Sequence, residues 1–468
     1  MHVTGETAAL FAVLRESARP DVAGAIEAAV REAPDRALCR VNALAFAEAT
    51  GCEEEATIAG FLHAARLGIC ELHWNVLCPG CGGVLEAGST LKGVKHTEYN
   101  CALCAAGYEP TLDEMVEVTF TASPRVRRIA AHDPHALPWA DYFAQVFWGS
   151  GVALPEGAEF ERLLGEIVLE LLELQPFQKA TLSLQLPEGF VIVFDPVVHM
   201  AHFLDVRGAP TKERRNLTFM LDGKHAPTGT TVMQPGPLRI MVENRTATRT
   251  LPGVWIAGDA LHGLLGRRRP FLTAKRLLSN QTFRDIYRTD TIDVHQRLKI
   301  TSLTFLFTDL RGSTELYERV GDLAAYDLVQ EHFRLIEEIV AAEAGAVVKT
   351  IGDAVMATFP TPERAVSAAL RIRRAMREHR DSLLLKIGIH AGPCLAVMLN
   401  AQQDYFGQTV NIASRVQRLA TASEIYATGP VVGHPAAQRL LEGQGLVPAA
   451  RDLPLRGVSY PVPVFEIP

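Results

Sequence analysis

Apolar and polar residues follow two different periods along this chain, and the change of period divides it. Up to about residue 75 the spacing is helical. Thr7 to Ser17 and Asp21 to Glu32 are alanine-rich with helical spacing. A third helix opens at Val41-Asn42-Ala43-Leu44 and ends near Thr50-Gly51. A fourth, Glu53 to Arg66, puts Ile58, Phe61, Leu62 and Ala65 on one face. Helix, turn at Thr50-Gly51-Cys52, helix, then Leu67-Gly68-Ile69 predict a winged-helix-like unit. From residue 112 the pattern turns to alternation. Met115 to Thr121 reads as a strand, and Phe160 to Leu174 as an amphipathic helix. Strands follow at Ala180–Leu186, Phe190–Phe194, Asn216–Leu221, Leu238–Val242 and Thr250–Ile256, with Pro187-Glu188-Gly189 and Pro235-Gly236-Pro237 as turns. This predicts a mostly antiparallel, sandwich-like β-domain. Thr273 to Tyr287 reads as one helix, and Thr289 to Ile300 as a polar connector.

The last third is α/β. Leu303 to Phe307 is a β-rich apolar run. Leu323 to Ala344 is a long helix with Tyr326, Val329, Phe333, Ile336 and Val340 on one face, stopped by Gly345. Val347-Val348 and Ala354 to Ala357 are two strands joined at Ile351-Gly352-Asp353, where Gly352 is free to take positive φ. A helix capped at Thr361-Pro362-Glu363 follows. Leu384 to His390 and Leu395 to Leu399 are expected to be partner strands, and Val462 to Ile467 closes the sheet. The order matches a ferredoxin-like βαββαβ core. The expected divisions are 1–75 helical, 76–111 ribbon, 112–287 mostly β and regulatory, 288–302 linker and 303–468 α/β.

Composition narrows the class. A chain of 468 residues suits about three domains. It is 48% hydrophobic and 21% charged, as globular proteins are. No apolar run approaches ~18 residues and the N-terminus lacks a signal-peptide pattern, so a soluble cytoplasmic protein without membrane contact is expected. Net charge is −7, and acidic side chains outnumber basic ones over residues 1–130. A DNA reader would be basic there, so a helical packing module without nucleic acid is the expectation.

Four of the eight cysteines form a pattern. Cys78-Pro79-Gly80-Cys81 and Cys101-Ala102-Leu103-Cys104 lie nineteen residues apart. Four thiolates on two tight turns make a closed, tetrahedral and therefore structural Zn²⁺ site. The basic runs Arg267-Arg268-Arg269 and Lys212-Glu213-Arg214-Arg215 read as solvated loops rather than an anion site. His199 and His202 read as packing or surface rather than a metal pair.

Three C-terminal stretches carry chemistry. In Leu303–Thr314, Asp309 sits where a buried strand ends. Leu310-Arg311-Gly312-Ser313-Thr314 leads toward a helix, so the backbone N–H groups of Leu310, Gly312, Ser313 and Thr314 could face phosphate oxygens. In Val347–Phe359, Lys349 and Asp353 lie near a hairpin tip, and Asp309 with Asp353 would hold hard cations. In Asp404–Arg415, Asn411 and Arg415 are one helical turn apart and can reach one ligand.

In this order and spacing the three stretches resemble the catalytic domain of class III nucleotidyl cyclases, over about residues 303–468. The resemblance implies a head-to-tail homodimer with nucleotide at the interface. It implies that Asp309 and Asp353 hold two Mg²⁺ or Mn²⁺ ions, that Lys349 and Asp404 read the purine, that Asn411 orients the ribose, and that Arg415 stabilises the transition state. Arg456 stands where the family usually has a Lys on the terminal phosphates; it keeps the charge as a planar fork. A Lys donates to adenine N1 and an Asp accepts from N6, so ATP is the expected substrate and cyclic AMP the product. The alternatives are a guanylate cyclase and a catalytically silent nucleotide-binding regulator. The first 300 residues loosely resemble the N-terminal regions of some bacterial multidomain cyclases, which implies regulation by an unknown ligand or protein.

Overall fold

The computed structural model describes residues 5–155, 157–223, 230–287, 292–293, 296–312, 318–378, 384–399, 402–421, 423–451, 455, 458 and 461–468. Ser313, Thr314 and Arg456 lie outside these, as do residues 288–291 and 294–295 of the expected 288–302 linker. The chain forms two compact units, one built from residues 1–89, 93–110 and 115–272, the other from 273–468 with 90–92 and 111–114. Among the described residues no helix is long and apolar enough to cross a membrane.

The first unit begins with four helices: α1 (Gly5–Ser17), α2 (Pro20–Glu32), α3 (Ala43–Thr50) and α4 (Glu54–Arg66). Asn42 caps α3 through Oδ1, which accepts from the N–H groups of Leu44 and Ala45, and Gly51 ends it at φ +68. Three strands follow, β1 (Cys70–Leu77), β2 (Val84–Gly88) and, after a small ribbon of β3 (Tyr99–Cys101) and β4 (Ala106–Tyr108), β5 (Val116–Ala122). β1 pairs antiparallel with both β2 and β5.

Short helix α5 (Trp139–Tyr142) and α6 (Ala158–Ile167) precede the β-rich part. The helix expected over Phe160–Leu174 stops at Ile167, because Val168–Leu171 becomes β6 and pairs with a later strand. Then come β7 (Lys179–Leu186), β8 (Gly189–Asp195), β9 (Met200–Val206), β10 (Arg215–Leu221), β11 (Thr230–Met233), β12 (Gly236–Asn244), β13 (Gly253–Ile256) and α7 (Asp259–Gly266). They form a three-stranded sheet, β10-β12-β7, and a five-stranded sheet, β11-β9-β8-β13-β6. Two pairings are parallel, β10 with β12 and β11 with β9, and the other four are antiparallel, which agrees with a mostly antiparallel region. Alternation on β8 places Val191 and Val193 in the core shared by the two sheets. Ile192 and Phe194 enter an aromatic core with Phe143, Trp148 and Trp255. Such a strand is buried on both faces.

The second unit opens with two short helices, α8 (Ala274–Leu278) and α9 (Gln281–Ile286), where one was expected. Asn280 breaks the run by capping α9 through the Phe283 N–H. The main sheet has β14 (Leu298–Leu310), α10 (Asp322–Ala342), β15 (Ala346–Ile351), β16 (Ala354–Phe359), α11 (Pro362–Glu378) and β17 (Leu385–Leu399). The order β15-β16-β14-β17 is antiparallel throughout, which gives the expected βαββαβ core. Ile336, Val340, Val366 and Ile372 from the helices pack with Leu306, Phe359, Ile387 and Ile389 from the sheet. Tyr326, expected on the inner face of α10, is exposed instead.

β17 is one strand of fifteen residues, not two partners. Its true hairpin partner is β18 (Gln402–Phe406). α12 (Gln408–Gln417), β19 (Ile425–Thr428), α13 (Gly429–Val432), α14 (Pro435–Gly443), β20 (Ala449–Arg451) and β21 (Val464–Ile467) complete the unit.

Candidate functional site

β14 carries a fully buried run, Leu303 to Leu306, and delivers Asp309 to its end with a side chain 31% exposed. Across the ladder Asp309 pairs in register with Lys386, and the ammonium lies 3.5 Å from Oδ2. On the other side Thr308 pairs with Val355, so Asp353 falls at the same end of the neighbouring strand, after Gly352 at φ +64. Neighbouring strands run about 4.8 Å apart. Two carboxylates are thus presented together where the sheet meets solvent. Gly312, at φ +71, turns the chain just beyond Leu310. Hard carboxylate oxygens suit Mg²⁺ or Mn²⁺. Two such groups leave coordination positions for phosphate and water, so the donor set fits a substrate-bound divalent ion.

Lys349 on β15 and Asp404 on β18 form an ion pair. Asp404 is 7% exposed, and its other oxygen accepts the Tyr405 N–H at 2.8 Å. Burial of a carboxylate is tolerable with both oxygens occupied. Among the described residues the strands that carry this pair are not hydrogen-bonded to each other: β15 is a sheet edge and β18 pairs with β17 alone.

Asn411 and Arg415 share the outer side of α12, while Ile412, Ala413 and Val416 are buried beneath them. α12 lies close on β17 because Gly388 has no side chain; a Cβ there would meet the Gln417 backbone nitrogen at 2.1 Å. Thr409 ties the start of α12 to the Pro393 carbonyl at 2.5 Å. His390, buried next along β17, has Nδ1 2.7 Å from the Thr428 hydroxyl, and burial pushes its pKa down to about 4.

Sequence reasoning missed Lys386, Gly388 and His390. A lysine inside Leu384 to His390, otherwise apolar, was the available signal for the first. A glycine in mid-strand signals close backbone approach, and it marks the second.

The four cysteines of the ribbon have come together. Their sulfurs lie within 4.8 Å of one another, with Cys78–Cys104 and Cys81–Cys101 both at 3.6 Å. A tetrahedral zinc with Zn–S bonds of about 2.3 Å needs sulfur separations of roughly 3.8 Å. Backbone N–H groups of Cys81 and Gly83 point at the Cys78 and Cys81 sulfurs at 3.5 and 3.4 Å. The thiolate is the form that ligates, and binding of the metal would release the thiol protons. The residues present fit zinc, with no open position for chemistry.

The three arginines near the ribbon are exposed, as expected of solvated loops, and each also bonds to its own fold. Arg268 donates to the Gly80 carbonyl at 2.7 Å, Arg269 to that of Ser150 at 2.7 Å, and Arg267 pairs with Glu159 at 3.0 Å. His199 and His202 also go separate ways. His199 Nε2 lies 3.3 Å from the Val84 carbonyl and His202 Nε2 lies 2.9 Å from the Thr231 hydroxyl.

A family model described as "Adenylate and Guanylate cyclase catalytic domain" matches residues 296–436, and one described as "Family of unknown function (DUF5939)" matches residues 4–285. Over 161 residues, 34% of this chain and 40% of the relative, there is 31% identity to Uncharacterized protein Rv2212 of Mycobacterium tuberculosis. Identity is 32% over 123 residues to an adenylate cyclase of Streptomyces griseus, covering 26% of this chain and 30% of that one. Among solved structures, the adenylyl cyclase CyaB from P. aeruginosa aligns with 37% of this chain and 96% of its own, at 24% identity and a TM-score of 0.34. The chain spans well under half the length of the curated relatives named here.

Proposed function

The chain belongs over residues 4–285 to DUF5939, a family of unknown function, and ends in an adenylate and guanylate cyclase catalytic domain; from that premise we propose that it is an adenylate cyclase, converting ATP to 3′,5′-cyclic AMP and pyrophosphate. The observation that carries the choice of base is the Lys349–Asp404 pair. A fixed ammonium beside a fixed carboxylate offers one donor and one acceptor, the complement of adenine N1 and N6. Guanine presents the reverse pattern.

Asp309 and Asp353 would hold Mg²⁺ or Mn²⁺, which supply Lewis acidity at the attacking 3′-hydroxyl and the leaving pyrophosphate. Lys386 adds a cation beside Asp309, at the triphosphate end. Arg456 is proposed for the terminal phosphates. The N–H groups of Leu310, Gly312, Ser313 and Thr314 are proposed to face phosphate oxygens. Asn411 orients the ribose, and Arg415 brings a guanidinium to the charge that spreads over the α-phosphoryl group in the transition state.

The site is proposed to be shared between two copies of the chain, carboxylates from one and base, ribose and transition-state residues from the other. Residues 1–75 serve as a winged-helix-like packing module, 76–111 as a zinc-stapled ribbon, 112–287 as a regulatory β-region and 288–302 as a linker, in a cytoplasmic protein controlled by a ligand or protein at its N-terminal part.

The test is the product. Purified full-length chain with Mn²⁺ is given ATP or GTP, and the nucleotides are resolved by mass spectrometry. Cyclic AMP with equimolar pyrophosphate, and at least about tenfold less cyclic GMP, is expected. Cyclic GMP formed as fast or faster overturns the assignment of the base, and no cyclic product overturns the enzyme.

A further inference from the structure

We infer that Arg284, on α9, is a positioning residue that sets the spacing between Lys349 and Asp404, and through it the preference for adenine over guanine. The inference rests on reading those two residues as the base readers.

The two readers need an external spacer. They come from β15 and β18, which share no ladder among the described residues, so no ladder hydrogen bond fixes one against the other. Arg284 spans that gap. Its Nη2 donates to the Gln403 carbonyl at 2.9 Å and to the Val348 carbonyl at 3.3 Å. Those carbonyls belong to the residues immediately before Asp404 and Lys349. One nitrogen therefore bridges the two peptide units from which the reader side chains spring.

The Val348 carbonyl is available for a reason. Along the β15–β16 ladder Val347 pairs with Ala357 and Lys349 with Met356, so the register slips by one at Val348. A bulge leaves its extra residue out of the ladder and re-aims the side chain that follows. Here that side chain is Lys349. Arg284 occupies the carbonyl the bulge sets free and so holds the bulge in the form that turns Lys349 toward Asp404.

Neighbouring groups make the same connection. The Tyr405 hydroxyl donates to the Leu278 carbonyl at 3.1 Å, so both residues flanking Asp404 are tied to the α8–α9 segment. The Val347 N–H donates to Gln281 Oε1 at 2.8 Å, and Gln281 Nε2 reaches Glu337 on α10 at 3.0 Å. Arg284 and Lys349 line one cleft of about 300 Å³. A guanidinium suits the role because it stays charged and its planar geometry is rigid.

The experiment compares kcat/KM for ATP and GTP in the full-length chain carrying Arg284→Ala, Lys349→Ala, or both. Arg284→Ala is expected to lower the ATP-over-GTP ratio about tenfold, chiefly through a higher KM for ATP, since a charge-assisted hydrogen bond is worth about one order of magnitude. In the Lys349→Ala background, Arg284→Ala is expected to change the ratio little further, because the group it positions has gone. Equal losses for both nucleotides would mark Arg284 as merely structural and overturn the inference. So would an unchanged ratio in Arg284→Ala where Lys349→Ala moves it, and the base-reader assignment would then stand. If Lys349→Ala leaves the ratio unaltered, the base-reader assignment falls and this inference falls with it. Should Arg284→Ala fail to fold by thermal melt, Arg284→Lys, which keeps the charge and loses the fork, is read by the same ratio.

Discussion

The ribbon of the first unit and the sheet end of the second both gather charged or ligating residues, and they use them in opposite ways. Around the ribbon the sulfurs are turned on one another, and the arginines, though exposed, are tied to the fold. Four sulfurs face one another, and Arg267, Arg268 and Arg269 reach a carboxylate and two carbonyls. At the end of β14, Asp309 and Asp353 stand half-open with solvent before them. The packing thus separates groups tied to their own fold from a carboxylate that shares one oxygen with Lys386 and keeps a face to solvent. Exposure does not separate the two, since Arg267, Arg268 and Arg269 are exposed while Asp309 and Asp353 are partly buried; what the groups bond to does.

Paired substitutions sharpen this contrast. Asp353→Ala is expected to lower ATP turnover by more than about 10³-fold while the melting temperature stays within a few degrees, because it removes a presented group and little packing. Arg268→Ala should do the reverse. It deletes a hydrogen bond to the cysteine turn worth about 1 kcal/mol and shifts melting by about 2–4 °C, with zinc retained and turnover little changed. Turnover assays and scanning calorimetry on the same samples check both. An inactive Arg268→Ala, or an active Asp353→Ala, would break the comparison.

A smaller effect separates the two units by pH. Burial raises the pKa of Asp195, on β8, to about 6 from its ordinary 3.8, against the pull of three backbone N–H groups. The folded chain holds that proton more tightly than the unfolded one. Its contribution to stability is therefore full below about pH 4 and lost as pH rises to about 6. His390, on β17, is pushed down from 6.5 to about 4 by burial. Its contribution is full above about pH 6.5 and lost as pH falls to about 4. Each is worth up to about 3 kcal/mol. Acidification from pH 6.5 to 4 should favour the unit of Asp195 and disfavour that of His390. Hydrogen exchange followed by peptide across this range checks the signs, and movement of both in one direction would contradict them.

Much of the catalytic unit was legible because its elements are local. Strand β14, the Gly352 hairpin and α12 each declare themselves through period and turn residues within a dozen positions, and the four cysteines through spacing alone. Most of what stayed hidden depends on partners far along the chain. β17 read as two strands because Gly392-Pro393 looks like a stop. The strand runs through it because the β14 register slips between Ile300 and Leu303, the point opposite Pro393, where no ladder N–H is required. β6 read as the tail of a helix because its own sequence favours one, and pairing with β13 overrides that preference. β9 and β11 went unread: His202 and Asp205 interrupt the apolar run of β9, and β11 is only four residues long. Of the site, Lys386 and Gly388 were missed because their meaning lies in Asp309 and Gln417, distant in sequence and adjacent in space.

The most direct measurement of the shared-site claim is complementation. Asp309→Ala and Arg415→Ala chains, each inactive alone, are mixed, allowed to exchange, and assayed for cyclic AMP with ATP and Mn²⁺. A heterodimer rebuilds one intact site from the unmutated halves, so activity should return to about a quarter of the unmutated protein's at equal mixing. A mixture as silent as its parts, in chains shown to have exchanged, would contradict a site assembled from two copies.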